Sequence, residues 1–497
     1  MRLLLALLLA ALTLRPDVVE QGPKHAAPSG LLAGIARERI DPPIGIPKLN
    51  WGSQTHVEAE GIDAPGFTVT ALALSDGQQK FVMVDFDQIS VDGFTSALDQ
   101  AAAELKMPVE NIRLAASHTH AGPLLSLERG PAGADLSKYE RPYEQYRTRV
   151  RDQIVKAIRG AHENLQPAHL GAARGVGSIN INRRVRGTAT SPPAVGRNPQ
   201  GLVDRELIVA RLDDAEGRPM AILANFQAHG TVLGYENKLA SPDWVGFARN
   251  TVEDAFPGAL CLYFQGAAGN QGPIEGFTGD AEVAHRLGRI LGHQIAGLAW
   301  QIDSVRREAK AEGFVESTAF QAKQPFRVPG PRASLLKAGR LMVDLPRRAY
   351  APAEMADMEK RIARARQQVT DAQKSGDGWL KYQAEARLRR FTNLLTKWKQ
   401  PVPPTPVPVE LRVLRIGQFA LVSMPGEPFA EIGLAFKKAS PFEVTMFCGY
   451  SSGVGGDYLP VTPEYAHGGY EIERTPYGLG AAEKLMAQAS RLFALVR

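Results

Sequence analysis

Residues 112–123 of the 497-residue chain read IRLAASHTHAGP. The first five residues form an apolar run that is typical of a buried strand, and Gly122-Pro123 then turns the chain into a loop. His118 and His120 are two positions apart, so in an extended segment both imidazoles point to the same face. Because open α/β sheets bind their ligands at the carboxyl ends of strands, this stretch predicts a functional site at the strand end.

The segments on either side alternate between short apolar runs and helical patterns. Further strands are predicted at Phe67–Leu74, Phe81–Asp85, Leu207–Leu212, Met220–Phe226 and Leu260–Phe264. Helices are predicted at Gly93–Leu105, Tyr143–Asn164, Trp244–Ala255 and Ala281–Ile302. This interleaving predicts an α/β fold with mixed β-sheets flanked by helices. No internal repeat is evident in the sequence.

Residues 353–399 interrupt this pattern with two charged amphipathic segments. They extend over Ala353–Lys374 and Gly378–Lys399, and Ser375-Gly376-Asp377 between them is a turn signal. The second segment carries apolar residues at steps of three and four, which is typical of a helix with one buried face. Because strand-like runs resume after it, we predict an α-helical hairpin inserted into one domain that covers residues 31–497.

The first 30 residues read as a signal-like leader and a mobile lead. Arg2 precedes the apolar run Leu3–Leu12, which is too short to span a bilayer by itself. We therefore expect an exported protein, periplasmic or secreted, with an uncleaved membrane anchor or a misassigned start as the alternatives. Export permits a disulfide between Cys261 and Cys448, but two buried thiols explain these residues equally well.

The composition is that of an ordinary globular protein, with 44% hydrophobic and 22% charged residues. It excludes a fully disordered chain and a multi-span membrane protein, and the two cysteines exclude a cysteine-built metal site. The net charge is +6, but residues 331–400 hold sixteen Lys and Arg against seven acids. This local surplus argues against a nucleic-acid binder. It indicates either a solvated helix surface or a contact with an anionic membrane surface.

Two more strand ends carry side chains that could bind a metal ion. His229 closes the apolar run Ile222–Ala228, and Glu427 leaves the run Phe419–Met424 through a Pro-Gly turn. Two histidines, one glutamate and an open position are the usual composition of a catalytic zinc site. Simpler explanations exist, because the histidines of residues 117–123 could be ordinary loop residues and Glu427 could cap the next helix.

Other candidate residues have weaker support. Ser241 and Asp243 precede a predicted helix and could either cap it or belong to the site. His285 and His293 lie eight positions apart on one predicted helix and are interpreted as ordinary helix histidines. The sequence contains no His-Glu-x-x-His motif, which excludes the helical metalloprotease arrangement.

In their order along residues 31–480, these motifs resemble the neutral/alkaline non-lysosomal ceramidase family. Residues 117–123 are similar to the family's His-Thr-His-Ser-Gly-Pro signature, with Ala121 in place of the serine. The other matching positions are Gly34–Arg37 with Ile40–Pro43, Ile181–Arg183, Ala228-His229, Ser241–Asp243 with Gly246, Gly426-Glu427, and Tyr458 with Tyr470. The resemblance covers the family's catalytic N-terminal domain.

The resemblance implies a zinc-dependent hydrolase that cleaves an N-acyl amide bond of a lipid-like or small-molecule substrate by zinc-activated water. It implies that the zinc ligands are His118, His229, Glu427 and Tyr458, and that the reacting centre is lined by His120, Arg183 and Tyr470. In these roles Arg183 and Tyr470 would stabilise the oxyanion, and His120 would give a proton to the leaving amine.

The chain departs from the family at one position near the implied site. The family carries a serine in a Gly-Asn/Asp-x-Ser-Pro segment, whereas the matching residues 269–273 hold Gly272 at that position. A serine nucleophile is therefore absent there, although a mechanism with zinc-activated water remains compatible. Ceramide or another N-acyl compound as substrate is left open, and so is the oligomeric state. The alternative function is a non-catalytic, zinc-stabilised binding relative that lost its activity with the serine.

Overall fold

The structure, a computed structural model, describes residues 30–48, 50–51, 57–124, 126–127, 135–188, 191–304, 307–310, 314–316, 319–322, 326–329 and 335–497. Its strands are β1 (Leu32–Arg39), β2 (Gly61–Ile62), β3 (Thr68–Ser75), β4 (Lys80–Phe86), β5 (Ile112–Ala116), β6 (Gln166–Val176), β7 (Asn180–Val185), β8 (Ala194–Asn198), β9 (Glu206–Asp214), β10 (Pro219–Phe226), β11 (Leu239–Ala240), β12 (Leu260–Gln265), β13 (Gln271–Pro273), β14 (Arg307–Lys310), β15 (Phe314–Glu316), β16 (Phe320–Ala322), β17 (Phe326–Pro329), β18 (Leu336–Leu345), β19 (Val407–Ile416), β20 (Phe419–Ser423), β21 (Glu427–Pro428), β22 (Val444–Cys448) and β23 (Tyr458–Leu459). Its α-helices are α1 (Ser96–Leu105), α2 (Glu140–Glu163), α3 (Asp243–Ala255), α4 (Ala281–Gln301), α5 (Pro352–Ser375), α6 (Gly378–Trp398), α7 (Ala430–Ala439), α8 (Tyr470–Arg474), α9 (Ala481–Met486) and α10 (Ala489–Ala494).

Three four-stranded sheets share one topology, and the first two are the halves of one eight-stranded sheet. Sheet I (β1-β3-β4-β5) and sheet II (β6-β9-β10-β12) are joined between β1 and β6 by only two residue pairs, and sheet III is β18-β19-β20-β22. In each sheet the first three strands are antiparallel neighbours, and the third and fourth are parallel. A parallel pair needs a crossover connection, and these connections contain α1, α3 and α7 respectively.

The three sheets enclose a common apolar core. Side chains from all three meet there, represented by Leu72 of sheet I, Phe264 of sheet II and Met446 of sheet III. The outer face of each sheet packs on its own helices, which are α1 and α2, then α3 and α4, then α7, α9 and α10. The expectation of an α/β fold with mixed sheets flanked by helices is therefore confirmed. The threefold repetition of the topology was not evident in the sequence.

The predicted hairpin consists of α5 and α6, inserted between the first two strands of sheet III. Gly376 ends α5 with φ +72°, a left-handed conformation that suits glycine. The Asp377 carboxylate then accepts hydrogen bonds from the amides of Trp379 and Leu380, which caps α6. The two helices bury a small apolar cluster of their own, which includes Ile362 and Phe391. The turn predicted at residues 375–377 is thus the junction of the two helices.

The structure describes both cysteines but not the predicted leader. Residues 1–29 lie outside the described residues, so the leader and the expected export stay predictions. Cys261 packs among the helices of sheet II and Cys448 in the common core, and both are buried free thiols. Within the described parts of the chain, none of the helices combines the length and the apolar character that crossing a membrane requires.

Candidate metal centre

Strand ends from all three sheets converge on one site. His118 and His120 follow β5, His229 follows β10, Glu427 follows β20 and Tyr450 follows β22. The ligand atoms of the three histidines all lie within 4.8 Å of one another. Each of these strands belongs to the parallel pair of its sheet, so the repeated topology brings equivalent ends of the three sheets together.

Hydrogen bonds to backbone carbonyls determine which ring nitrogen of His118 and of His229 carries the proton. Nδ1 of His118 lies 2.6 Å from the carbonyl oxygen of Ile89, and Nδ1 of His229 lies 2.7 Å from that of Ala268. Because a carbonyl only accepts, each Nδ1 carries the proton and each Nε2 presents a lone pair. Both Nε2 atoms face Oε2 of Glu427, at 3.5 Å for His118 and 3.0 Å for His229.

Lone pairs that face a carboxylate oxygen repel it unless a proton or a metal ion lies between them. Burial lowers the pKa of His118 and lowers the pKa of His229 to about 3, so neither imidazole takes a second proton at neutral pH. Burial alone would raise the pKa of Glu427, but His118, His229 and Arg183 lower it overall, and the carboxylate is ionised. The arrangement is therefore compatible with a divalent metal ion, and its donors are of the types that zinc binds.

His120 belongs to the same group of imidazoles. Its Nε2 lies 3.2 Å from Nε2 of His118, and its Nδ1 has no hydrogen-bond partner among the described residues. No backbone carbonyl of the described residues accepts a hydrogen bond from its ring, in contrast to the other two histidines, so its tautomer depends on whether a proton or a metal ion lies between the two Nε2 atoms. This leaves His120 able either to bind a metal ion or to carry a proton, and its assignment to the reacting centre stays a prediction.

A tight turn at Gly426 places Glu427. Gly426 has φ +78°, and a Cβ at this position would lie 2.5 Å from the carbonyl oxygen of Asp457, so only glycine fits. The Glu427 amide donates a hydrogen bond to that same carbonyl at 3.0 Å. Strand β21, which begins at Glu427, pairs in parallel with β23, which begins at Tyr458. The glutamate turn is thereby tied to the segment that carries the first predicted tyrosine.

Arg183 is buried in the wall of the site and held by a carboxylate. Its Nε donates to Glu471 at 2.9 Å, and its Nη2 donates to the hydroxyl of Tyr458 at 3.0 Å. Arg184 donates to the other carboxylate oxygen of Glu471 at 2.6 Å. Burial alone would lower the pKa of Arg183, but Tyr458 and Glu471 raise it overall, so the guanidinium stays charged. The side chain of Arg186, by contrast, is 56% exposed.

The two predicted tyrosines lie side by side, with ring centroids 5.8 Å apart. Burial and the nearby Glu427 raise the pKa of Tyr458 well above its usual value, which opposes the proton loss that a phenolate ligand requires. The hydroxyl of Tyr470 accepts a hydrogen bond from Nη1 of Arg474 at 3.0 Å. Tyr458 as a metal ligand and Tyr470 at the reacting centre both stay predictions.

Ser241 and Asp243 brace the loops that carry the histidines. The Asp243 carboxylate accepts hydrogen bonds from the amides of Leu233 at 2.9 Å and Trp244 at 2.7 Å. The carbonyl of Ser241 accepts a hydrogen bond from the Thr119 hydroxyl at 2.7 Å. Trp244 donates its ring N–H to the His229 carbonyl at 3.1 Å. The N-cap of α3 is Pro242, without a side-chain cap hydrogen bond, so these residues hold the loops of the site rather than cap the helix.

The remaining histidines of the sequence analysis lie on α4 and outside the imidazole group. His285 Nε2 lies 3.0 Å from Asp63, and His293 is exposed. Gly272 is on β13 opposite Ile181 of β7. A Cβ at Gly272 would lie 3.1 Å from the Cβ of Arg183, so the position of the family's serine is directly beside this arginine.

Sequence reasoning missed Tyr450 and Glu471. The Tyr450 hydroxyl lies 3.5 Å from Oε2 of Glu427, and its ring centroid lies 4.4 Å from that of His118. Tyr450 ends a strand as His118 does, so the same strand-end argument could have found it. Glu471 has no local signal, because its role depends on arginines 287 and 288 positions away in the chain.

The site opens into a cavity of about 970 Å³. The strand-end loops supply His118, His120, Glu427 and Tyr450, and residues of α6 from the inserted hairpin also line the cavity. The hairpin therefore contributes to the lining of the site, a role that the sequence analysis did not predict.

Fold and site together define an α/β protein with a histidine-rich centre compatible with a metal ion. Residues 54–274 match the family described as "Neutral/alkaline non-lysosomal ceramidase, N-terminal". This match covers less than half of the chain, and it confirms the resemblance of residues 54–274 to the neutral/alkaline non-lysosomal ceramidase family.

Curated relatives agree with this resemblance, and solved structures share the fold. Neutral ceramidase A of Dictyostelium discoideum is 32% identical over 148 residues, which cover 28% of this chain and 19% of that protein. Neutral ceramidase of Pseudomonas aeruginosa is 24% identical over 392 residues, which cover 74% of this chain and 57% of that protein. The crystal structure of the Pseudomonas aeruginosa neutral ceramidase matches with a TM-score of 0.58 at 21% identity, covering 94% of this chain and 74% of that one. The chain thus spans less than two thirds of the length of these curated relatives.

Proposed function

We propose that this protein hydrolyses the amide bond of an N-acyl, lipid-like substrate at a zinc site. The observation that carries the proposal is the convergence of three imidazoles and the Glu427 carboxylate beside a cavity that His118, His120 and Glu427 line. The family supports the type of reaction, because the relatives are neutral ceramidases. The glycine at position 272 leaves ceramide itself as one candidate among several N-acyl compounds.

His118, His229 and Glu427 are the residues proposed to hold the zinc ion, with Tyr458 as a further ligand. The Nδ1 contacts to backbone carbonyls support this, since they aim the bare Nε2 atoms at one point. The chemistry that zinc supplies in such a site is polarisation of a carbonyl oxygen and a lower pKa for water. A chelator is therefore expected to abolish activity and to leave the fold largely intact.

The chain's own residues would carry the rest of the reaction. Hydrolysis adds the oxygen of water to the carbonyl carbon, breaks the C–N bond and releases a carboxylic acid and an amine. Arg183 and Tyr470 are proposed to donate hydrogen bonds to the negative oxygen that develops during this addition. His120, which lines the cavity, is proposed to take a proton from the attacking water and to pass it to the leaving amine.

The test is a panel of N-acyl compounds incubated with the purified, zinc-loaded protein, with fatty-acid release as the readout. The panel should contain ceramide, N-acylethanolamines and N-acyl amino acids of equal chain length, each with and without chelator. Chelator-sensitive release from at least one compound is the expected result. A protein that binds zinc and these compounds but releases no fatty acid would instead be the non-catalytic binding relative.

Restoring the family's serine tests the importance of Gly272. The backbone there allows a side chain, but the new Cβ would contact Arg183, so we expect Gly272→Ser to change substrate preference by on the order of tenfold. Gly272→Ala is the matched control, because it adds the contact without the hydroxyl. If only the serine variant cleaves ceramide and the parent is inert on the whole panel, the reaction depends on the serine that this chain lacks.

The proposed localisation outside the cytoplasm rests on the first twelve residues alone. Arg2 and the apolar run Leu3–Leu12 support export to the periplasm or the medium. A contact of the basic hairpin with a membrane surface likewise stays a prediction.

A further inference from the structure

Helix α6 forms one wall of the active-site cavity. Its lining residues recur at helical spacing along one face, at Ala386, Arg389, Arg390, Asn393, Leu394 and Lys397. The inserted hairpin thus adds to the cavity a surface on which arginine and lysine are prominent, and its chemistry differs from that of the strand-end loops.

The wall is anchored near both of its ends. At the carboxyl end, Trp398 donates its ring N–H to the Glu473 carbonyl at 3.3 Å, and Arg390 forms an ion pair with the Glu473 carboxylate. At the amino end, the ring of Trp379 stacks on Tyr235 with centroids 5.4 Å apart. Tyr235 lies in the loop that follows His229, so α6 spans from the α8 side of the site to the loop of a candidate metal ligand. The positions of its cavity-facing residues are therefore fixed against the core.

The charges on this wall are unevenly paired. Arg390 is paired with Glu473, and Arg474 of the neighbouring wall lies 3.5 Å from Asp457. Arg389 and Lys397 have no carboxylate within ion-pair distance among the residues that the structure describes. The acids that line the cavity are Asp92, Glu427 and Asp457. Of these, Glu427 lies at the histidines and Asp457 beside Arg474.

The side of the cavity near His118 is mixed in character. Ile89 and Val91 line it from the loop after β4, and Leu124 lines it from the loop after the two histidines, together with the polar residues Asn50, Ser90, Asp92 and Thr95. The three apolar residues suit an acyl chain, and the Asp92 carboxylate disfavours an anion on this side. Among the described residues, the cavity therefore has apolar groups on this side and two cations without an ion-pair partner on the α6 wall.

We propose that the amine half of the substrate carries an anionic group, a carboxylate or a phosphate, which Arg389 and Lys397 bind. The inference rests on the proposed amide hydrolysis and specifies its substrate class as an anionic N-acyl compound. A guanidinium matches the two oxygens of a carboxylate or phosphate, and an ammonium adds a point charge. A neutral N-acyl compound would leave both cations without a partner.

The test compares three substrates with the same dodecanoyl chain: N-dodecanoylglycine, phosphorylated N-dodecanoylethanolamine and neutral N-dodecanoylethanolamine. The first two distinguish a carboxylate from a phosphate, and the third lacks the anion. Both kcat/KM and the dissociation constant from isothermal titration are measured for each. The variants are the double substitution Arg389→Ala with Lys397→Ala, and a control double substitution Lys360→Ala with Arg364→Ala. The control removes the same charge from exposed positions of α5 outside the cavity lining.

We expect the parent to prefer an anionic substrate over the neutral one by about tenfold or more, as for hydrogen bonds to charged groups. The cavity variant should lose most of this ratio, whereas the control should keep it. Equal kcat/KM values for the anionic and neutral compounds in the parent would overturn the inference while preserving amide hydrolysis. If no compound is hydrolysed, the proposed function fails, and the ratio of dissociation constants still decides whether the wall binds anions.

A vesicle-binding experiment distinguishes substrate binding by these cations from contact with a membrane surface. Binding to vesicles of phosphatidylglycerol is measured for the parent and both variants. Loss of vesicle binding in the cavity variant, with an unchanged anionic-to-neutral ratio for the soluble compounds, would overturn the inference and assign these cations to a membrane surface.

Discussion

His118→Ala and His229→Ala are each expected to lose the bound metal ion and to lower turnover by roughly 1,000-fold or more. Metal catalysis of this type is worth several kcal/mol, and each 1.36 kcal/mol corresponds to about tenfold in rate. Both imidazoles direct a lone pair at the same oxygen of Glu427, so removal of either one leaves the donor set incomplete. Metal content by mass spectrometry and fatty-acid release on one substrate are the two measurements.

His293→Ala is the matched control, because His293 is exposed on α4 and outside the imidazole group. It should keep both the metal ion and the activity. Far-UV circular dichroism should change little in all three variants, since the strands that carry the histidines are held by their own sheets. Full metal occupancy in both His118→Ala and His229→Ala would remove this site as the metal centre.

Arg183→Ala is expected to lower turnover by about 100- to 1,000-fold, the usual cost of removing one oxyanion donor. KM should change little, because the negative charge that Arg183 would stabilise develops only in the transition state. Stability should also fall, because Arg183 forms a buried ion pair with Glu471. Since Arg184 still holds that carboxylate, the loss should stay below the ~3–5 kcal/mol that an unpaired buried charge costs. Assays are therefore run well below the melting temperature of the variant.

Two further variants isolate the role of Arg183. Arg183→Lys keeps the charge but not the fork that contacts Glu471 and Tyr458 together, so an intermediate turnover is expected. Arg186→Ala removes an exposed arginine of the same segment and should be nearly silent. Equal and small effects of Arg183→Ala and Arg186→Ala on one substrate would exclude an oxyanion role for Arg183.

The fold class and the strand ends could be predicted because they depend on local patterns. An apolar run followed by histidine and glycine reports a buried strand and its end, whichever sheet the strand joins. The same holds for the hairpin, whose turn at Gly376 and cap at Asp377 follow from the conformational freedom of glycine and the capping ability of aspartate. These features are encoded within a few neighbouring residues.

The contacts of His120, Tyr450 and Arg183 could not be predicted in the same way. The sequence places His120 two residues from His118, but only the fold shows that both imidazoles approach His229 within ligand distance. Glu471 orients Arg183 across 288 positions, and no local pattern records such a pairing. The sequence also did not show that the three sheets repeat one topology. Strand topology is defined by which strands are hydrogen-bonded to each other, and residue identities do not reveal that pairing.

The sequence by itself determined the residue types of this protein's site: strand-end histidines, a glutamate after a Pro-Gly turn, and a basic hairpin inserted before residue 400. Each of these depends on short-range rules of backbone geometry and periodicity. The tertiary structure alone decided that the three sheets present their strand ends to one point, and that α6 lines the same cavity as the histidines. The physical reason is that the sheets associate by burying a common apolar core, and apolar burial is non-directional. The packing of that core as a whole, and no single segment of the chain, therefore sets where the site residues meet.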